Sequence, residues 1–381
     1  MKKALMLASV ASMIDQFNTD NIRLLQKMRY HVDVVTNFEN GSTTSQQRVD
    51  EVRAELEANG VRTIHMPIPR KITDVKGIVS SYRDVKKLCN ENRYELLHCH
   101  SPIGSVVARL GAKHARKKYG TRVIYTAHGF HFFKGSPLVN WLTFFPVEWI
   151  CSFFTDVLIT INKEDYARSQ KVMHAKRIEY VPGVGIDTEA IKNVNVDKVT
   201  KLAEFGVVDE IVFLSVGELN KNKNQEVIIR ALSKIDVPFK YILCGKGDRG
   251  EYLKNLTKEF GIEDKVVFAG YRTDIRELLN CADIFCFPSF REGLSVALME
   301  AMAAGVPCVV SRIRGNVDLI QDGVNGFLCD PNSVEEFEVI LSKLSKDKDL
   351  RDRMKKENYK AIDGFDRDKV ADKMREIYCL E

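Results

Sequence analysis

The stretch DIFCFPSFREGLSVALMEAMAAGVPCVVSR, residues 283–312, settles how this chain is built. It opens on an apolar run (283–289), crosses a Gly-containing loop, becomes an Ala/Met/Leu-rich helix and returns to an apolar run at 307–312. Strand, helix and strand in that order, with strands apolar on both sides, predict a parallel sheet covered by helices on both faces. Two carboxylates, Glu292 in the loop and Glu300 in the helix, stand eight residues apart. The helix N-terminus offers free N–H groups and a positive dipole end, which suits a phosphate. A carboxylate further in accepts hydrogen bonds from hydroxyls and binds no phosphate. The pairing points to a ligand with phosphates at one end and hydroxyls close by, such as a nucleotide-sugar.

The same alternation runs through all 381 residues, too many for one ordinary core. In the first half, strands are predicted at 3–10, 31–38, 62–68, 96–101, 122–129, 156–162 and 177–183. The second half restarts at 211–217, followed by 239–245, 265–271, 283–289, 307–312 and 326–330. Two successive sets imply an α/β protein of two doubly wound, Rossmann-like domains, 1–190 and 191–381. The strandless segment 184–208 reads as the linker, and the last helix, about 366–378, is a candidate to pack back on the first domain. In such sheets ligands sit outside the C-terminal strand ends, where strand order reverses. His100, His128, Gly217, Gly245, Tyr271 and Glu292 all fall at predicted strand ends. The expectation is one cleft between two facing domains, an architecture for bringing two substrates together.

Nine scattered cysteines, with no CxxC pair and most of them in apolar runs, read as reduced thiols of a cytosolic protein. The N-terminal MKKALMLASVAS has the look of a signal peptide, but the free cysteines favour a first buried strand. No segment is a clean membrane span. The nearest, PLVNWLTFFPVEWICSFF (137–154), is interrupted by Pro146 and Glu148. Residues 1–190 hold 27 basic against 19 acidic side chains, and the second half has a slight acidic excess. A basic half beside an acidic half suits an anionic partner such as a diphosphate or an acidic membrane surface. The aromatic patterns of RNA-binding sheets are missing, so no nucleic acid is expected.

GKGDRG (245–250) matches G-x-G-x-x-G after a strand. The acid that would hold ribose at the end of the next strand is absent, where Ala269-Gly270-Tyr271 stands instead, and hydride transfer is not expected. The glycines allow a close backbone approach or merely make a turn. In GELNKNKNQ (217–225), Lys221 and Lys223 open a helix, against the usual preference for acids there, and a bound diphosphate would explain them. His128, in YTAHGFHFF (125–133), lies at a strand end beside a glycine and a run of aromatics that marks a pocket mouth; His131 is a weaker candidate. His98 and His100 alternate on one strand and face one way, without a third metal ligand. The stretch 137–154 concentrates both tryptophans, and either packs in the core or presents an aromatic face to lipid. Two D-x-D strings, Asp347–Asp349 and Asp366–Asp368, fall in the charged helical tail, so no metal and no cofactor are expected.

Taken together these motifs carry a family pattern. EGLSVALME (292–300), an E-x7-E signature, is followed by AMAAGVPCVVS (301–311) and NGFLCDP (325–331), with ADIFCFPS (282–289) and the GELNKNKN loop in order. The chain resembles the retaining family-four glycosyltransferases of the GT-B fold over essentially its whole length. IYTAHGFHFFKGSP, with PVEW and LITINKEDY, resembles the subgroup that builds exopolysaccharide, capsule or O-antigen repeat units on undecaprenyl diphosphate. The resemblance implies a UDP-sugar donor, a lipid-diphosphate-linked sugar acceptor and peripheral contact with the anionic inner face of the cell membrane, without metal. It implies that Glu300 holds the ribose, Glu292 the donor sugar, the backbone at Gly293, Leu294 and Ser295 the diphosphate, and Lys223 the leaving group. His128 would sit at the reacting carbon. Gly217 and Gly245 would line the donor site.

Many relatives have Arg where this chain has Glu218, so the second cation comes from Lys221, Arg272 or Arg249, or is done without. The glycine-rich acceptor loop is replaced by SVASMIDQFN (9–18). The expected activity is transfer of a hexose or N-acetylhexosamine. The rivals are a nucleotide-sugar epimerase of the same build and a non-catalytic nucleotide-sugar-binding subunit of a polysaccharide assembly complex.

Overall fold

The computed structural model describes residues 2–39 and 44–380. Among these residues thirteen strands form two parallel sheets. The first contains β1 (Lys2–Leu7), β2 (Tyr30–Thr36), β3 (Arg62–His65), β4 (Leu96–His100), β5 (Arg122–Ala127), β6 (Val157–Thr160) and β7 (Arg177–Tyr180). Its spatial order is β3-β2-β1-β4-β5-β6-β7. The second contains β8 (Ile211–Val216), β9 (Phe239–Cys244), β10 (Val266–Gly270), β11 (Ile284–Phe287), β12 (Cys308–Ser311) and β13 (Gly326–Cys329), in the order β10-β9-β8-β11-β12-β13. Every pairing is parallel; Ala4 lies opposite Val32 on one side and Leu96 on the other. All thirteen apolar runs read from the sequence are strands, and each sheet reverses its winding once, between β1 and β4 and between β8 and β11.

The chain divides into two compact units, Met1–Val184 with Asp368–Glu381, and Gly185–Arg367. Residues 2–7 form a central strand of the first unit, buried from Ala4 onward. The final helix, Arg367–Cys379, spaces Val370, Met374, Ile377 and Tyr378 along one face and buries them in the core of the first unit. Tyr378 donates to or accepts from His98 Nδ1 at 2.8 Å, a contact 280 residues apart in sequence. The segment read as a linker instead forms two short helices, Thr188–Lys192 and Lys198–Ala203, whose Ile191 and Leu202 join the core of the second unit. Its apolar residues had something to bury, which a free linker does not.

Both faces of each sheet are covered. In the second unit Leu298, Met299, Ala301 and Met302 on the helix Val296–Ala303 are fully buried with Phe285 and Phe287 of β11. Each fully buried Leu, Met or Phe contributes about 1.5–3 kcal/mol, so this helix is held by packing more than by its length. Eight of the nine cysteines are buried and all are free thiols. Burial pushes the Cys89 and Cys99 thiols up to about 12, far from the range of a nucleophile.

Candidate active site

In the second unit the site grows from the reversal between β8 and β11. Gly217, at the end of β8, has φ +151°, and Gly245, after β9, has φ +154°. A Cβ on Gly245 would lie 1.8 Å from Gly217 O, so the close approach that GKGDRG permits is to the neighbouring loop of its own chain. Leu219 N donates to Lys246 O and Arg249 N to Leu219 O, closing the two loops together.

The asparagines of GELNKNKNQ then pin this loop to the one after β11. Asn224, in the left-handed region at φ +54°, donates to Pro288 O and Pro331 O at 3.1 and 2.8 Å. Asn222 donates to Arg291 O at 3.0 Å and accepts through its carbonyl from Phe290 N. Asn220 Oδ1 accepts from Lys223 N. These bonds place Lys223 Nζ 2.8 Å from Glu292 Oε1 and 4.6 Å above the Phe287 ring. Both side chains are largely buried, so each charge depends on the other for compensation.

Beyond Glu292 the chain enters the helix Val296–Ala303, capped by Ser295, whose Oγ accepts from Leu298 N. Gly315 backs the loop so tightly that a Cβ there would meet Gly293 O at 2.3 Å. Arg314 Nε donates to Glu292 O. Glu300 differs from its neighbours. Its carboxylate has no hydrogen bond or ion pair among the described residues, and burial pushes its pKa above the ordinary 4.5, partly offset by Arg276. A half-buried acceptor without a partner has unused capacity for hydroxyl donors.

The other cations named from the sequence have different partners. Arg272 is held by Asp274 at 2.5 and 2.8 Å and by Glu204 at 2.9 Å, in a cluster with Lys201. Arg249 pairs with Glu226 at 2.8 Å and stacks 3.7 Å over the Tyr252 ring. Lys221 is exposed and lines a separate pocket with Arg249 and Tyr252. Among the described residues none of the three forms a hydrogen bond or ion pair with Lys223 or Glu292, whereas Arg314, which sequence reasoning passed over, bonds to the Glu292 carbonyl. Glu218 is exposed; its carboxylate accepts from Asn220 Nδ2 and its backbone carbonyl from Gln225 Nε2.

In the first unit His128 follows β5. Its Nε2 lies 3.0 Å from His100 Nδ1, and its ring 5.3 Å from that of Phe17. His98 and His100 do share one face of β4, with rings 4.2 Å apart. Burial pushes His98 down to about 3, His128 to about 4 and His100 well below its usual value, so all three are neutral near pH 7. His100 Nε2 is buried without a hydrogen-bond partner. A buried unpaired N–H is rarer than an unpaired acceptor, which puts the His100 proton on Nδ1, donating to His128 Nε2. His128 then carries its own proton on Nδ1, where it can donate to a ligand.

The aromatic run after His128 is core and not a pocket mouth: Phe130 and Phe132 are buried and stacked at 4.7 Å. Asp165 anchors it by accepting from Phe130 N. His131 alone turns outward to a pocket, stacked on Phe144 at 4.5 Å. The stretch 137–154 forms the helix Leu138–Ser152, with one face packed in the core and the other exposed. Trp141, Phe144 and Phe145 pack inward, and Glu148 accepts from Arg109 at 2.8 Å and Tyr125 at 3.1 Å. Leu138 (73% exposed), Leu142 (70%), Ile150 and Phe153 face out at helical spacing. Among the described residues no helix is long and apolar enough to cross a membrane.

Two switch-point sheets of this topology are the GT-B architecture. Anabaena HepE, solved with UDP, superposes with a TM-score of 0.78 over 99% of both chains at 19% identity. WaaG, a glycosyltransferase involved in lipopolysaccharide biosynthesis, gives 0.72 over both whole chains at 17% identity. Residues 17–190 match the Glycosyltransferase Family 4 model and residues 200–361 that of glycosyl transferases group 1. A Bacillus subtilis protein named as the glycosyltransferase EpsD is 34% identical over 99% of this chain and 96% of its own. The UDP-Gal:α-D-GlcNAc-diphosphoundecaprenol α-1,3-galactosyltransferase of Escherichia coli is 28% identical over 98% and 95%. The chain belongs to glycosyltransferase family four and is a glycosyltransferase of the GT-B fold.

Proposed function

We propose that the protein transfers a hexose or N-acetylhexosamine from a UDP-sugar to a lipid-diphosphate-linked saccharide, retaining the donor's configuration and using no metal. The observation that carries this reading is the set formed by Lys223, Glu292, the Ser295-capped helix and unpartnered Glu300. Cation and helix amides suit a diphosphate, Glu300 suits a ribose diol, and Glu292 stands between them for the sugar. Gly217 and Gly245 shape the floor of this donor site. The UDP and UDP-glucose complexes of HepE and the named acceptor of the Escherichia coli relative support the choice of ligands.

In the step we propose, the bond from C1 to the UDP oxygen breaks while C1 bonds to the acceptor hydroxyl on the same face. The acceptor proton passes to the leaving phosphate oxygen, so no separate base is needed. Lys223 and the helix N-terminus stabilise the charge that develops there. His128, neutral at working pH, hydrogen-bonds the transferred sugar and does not protonate it.

The protein works peripherally on the cytoplasmic face of an anionic membrane, to which the outer face of the helix Leu138–Ser152 contributes its exposed Leu and Ile residues. Lys113, 4.8 Å over the Phe154 ring, adds a cation beside it.

The test incubates the protein with a panel of UDP-sugars and a short lipid-diphosphate N-acetylglucosamine, with and without EDTA, reading product anomers by NMR. Transfer that survives EDTA with the donor's configuration kept supports the proposal. Isomerised free donor identifies an epimerase instead, and tight UDP binding without turnover a non-catalytic subunit.

A further inference from the structure

The reversal between β1 and β4 in the first unit also opens a pocket, of about 780 Å³. Ser9, two residues beyond β1, and Ser101, directly after β4, stand at its strand-end side. This is where a doubly wound sheet receives a ligand, because the loops on either side of the reversal diverge. The two serines are already bonded: Ser9 N donates to Ser101 Oγ, and Ser9 Oγ accepts from Gly104 N, each at 2.9 Å. They hold the loops and leave recognition to the side chains around them.

Those side chains are of two kinds. Met13, Phe17, Ile72, Ile103 and Phe144 make apolar walls. Arg70 and Lys71 stand at the same pocket, both exposed, neither with an ion pair among the described residues, and no carboxylate lines the pocket with them. An isoprenoid or acyl chain alone would leave both cations without counter-charge. A free sugar would leave the apolar walls against water. The occupant that satisfies both is an amphiphile with a diphosphate between an apolar chain and a polar head. Phe17 connects the pocket to the site already described, since its ring also lies against His128. Phe144 belongs to the helix whose outer face exposes Leu138 and Leu142.

We infer that this pocket seats the lipid-diphosphate portion of the acceptor, with Arg70 and Lys71 on the diphosphate and Met13, Phe17 and Ile72 against the first isoprene units. The inference rests on the proposed lipid-linked acceptor and adds the residues that recognise it. The head sugar is thereby turned toward His128, and the lipid leaves toward the apolar helix face.

Farnesyl diphosphate serves as the probe, with farnesol and inorganic diphosphate as controls, titrated by calorimetry into the whole protein. Farnesyl diphosphate is expected to bind, and the Arg70→Gln/Lys71→Gln variant to weaken it by about tenfold or more, each cation making charge-assisted contacts. Ile72→Ser weakens farnesyl diphosphate by about threefold and leaves inorganic diphosphate unchanged. Arg70, Lys71 and Ile72 are all exposed at the pocket, and UDP affinity is the folding control, unchanged in Arg70→Gln/Lys71→Gln and in Ile72→Ser. Equal affinity of the double variant and the parent for farnesyl diphosphate overturns the inference. So does binding that depends on Lys223 instead of Arg70. Failure of the wild type to bind UDP overturns the donor reading alone, which this titration distinguishes.

Discussion

Both sheets reverse their winding once, and the two reversals are furnished with opposite chemistry. At β8 and β11 the loops are locked backbone to backbone, asparagines bridge them, and a charged pair, Lys223 and Glu292, sits 2.8 Å apart in a largely buried position. At the C-terminal ends of β1, β4 and β5 the pocket is lined by no ion pair among the described residues. Three histidines are held neutral by burial, the walls are apolar, and the cations Arg70 and Lys71 stay on the surface. One scaffold therefore offers a rigid electrostatic seat in one unit and an amphiphilic one in the other. Preorganised charge is worth most where charge develops in a reaction, and the second unit has it.

The comparison breaks most directly at Lys223. Lys223→Met removes the cation from the second reversal and leaves Glu292 largely buried without its partner. Transfer is expected to fall by about 10²–10³-fold in kcat, the size seen when a group that stabilises developing charge is lost. Steady-state kinetics with saturating donor measures it. A loss confined to KM would mean that Lys223 binds donor and transition state equally, and the electrostatic contrast between the reversals would fail.

Glu300 sharpens the same contrast through pH. Its folded pKa is raised, so the unfolded chain ionises first as pH rises from about 4.5; stability contributed below that value is lost as pH rises through the folded pKa. Glu300→Gln abolishes this slope and is expected to be at least as stable as the parent at neutral pH by thermal unfolding. The ribose hydroxyls need the ionised carboxylate, so parental UDP affinity should weaken as pH falls through the folded pKa. The Gln variant should bind UDP about tenfold more weakly at pH 7, with little pH dependence over that window. Unchanged UDP affinity in Glu300→Gln would remove the ribose role.

How much of this was legible in the chain follows from where the information resides. Parallel strands buried on both faces are continuous apolar runs, so all thirteen could be read locally; the strand order that places the two reversals is set by pairing between distant segments and could not. Glu292, Lys223 and Ser295 were legible because strand, loop and helix N-terminus are consecutive in sequence. The bridging role of Asn222 and Asn224 was not, since each bonds a loop more than 60 residues away. Arg314 and the His100–His128 pair were missed for the same reason, and Tyr378 reaches His98 from the far end of the chain. The misreading of Phe130 and Phe132 has a different origin. Composition marks them as aromatic, but their inward turn is fixed by contacts with distant residues such as Asp165, which accepts from Phe130 N.

The smallest expected effect tests the neutral character of the first reversal. His98 and His128 have folded pKa values near 3 and 4, below the ordinary 6.5. The unfolded chain therefore takes up protons first as pH falls, and stability present above pH 6.5 is lost between 6.5 and about 4. His100→Asn takes one buried imidazole from the cluster and should make acid unfolding of the protein measurably shallower over that range by circular dichroism. It also removes the ring that fixes the His128 proton on Nδ1, so kcat should fall by about three- to fivefold, a share of one neutral hydrogen bond. Because burial keeps His98, His100 and His128 neutral near pH 7, both parent and variant should show no inflection from this cluster in kcat between pH 6 and 8. An inflection near 6.5 in the parent would show a charged imidazole at this reversal, and the two reversals would no longer be chemical opposites.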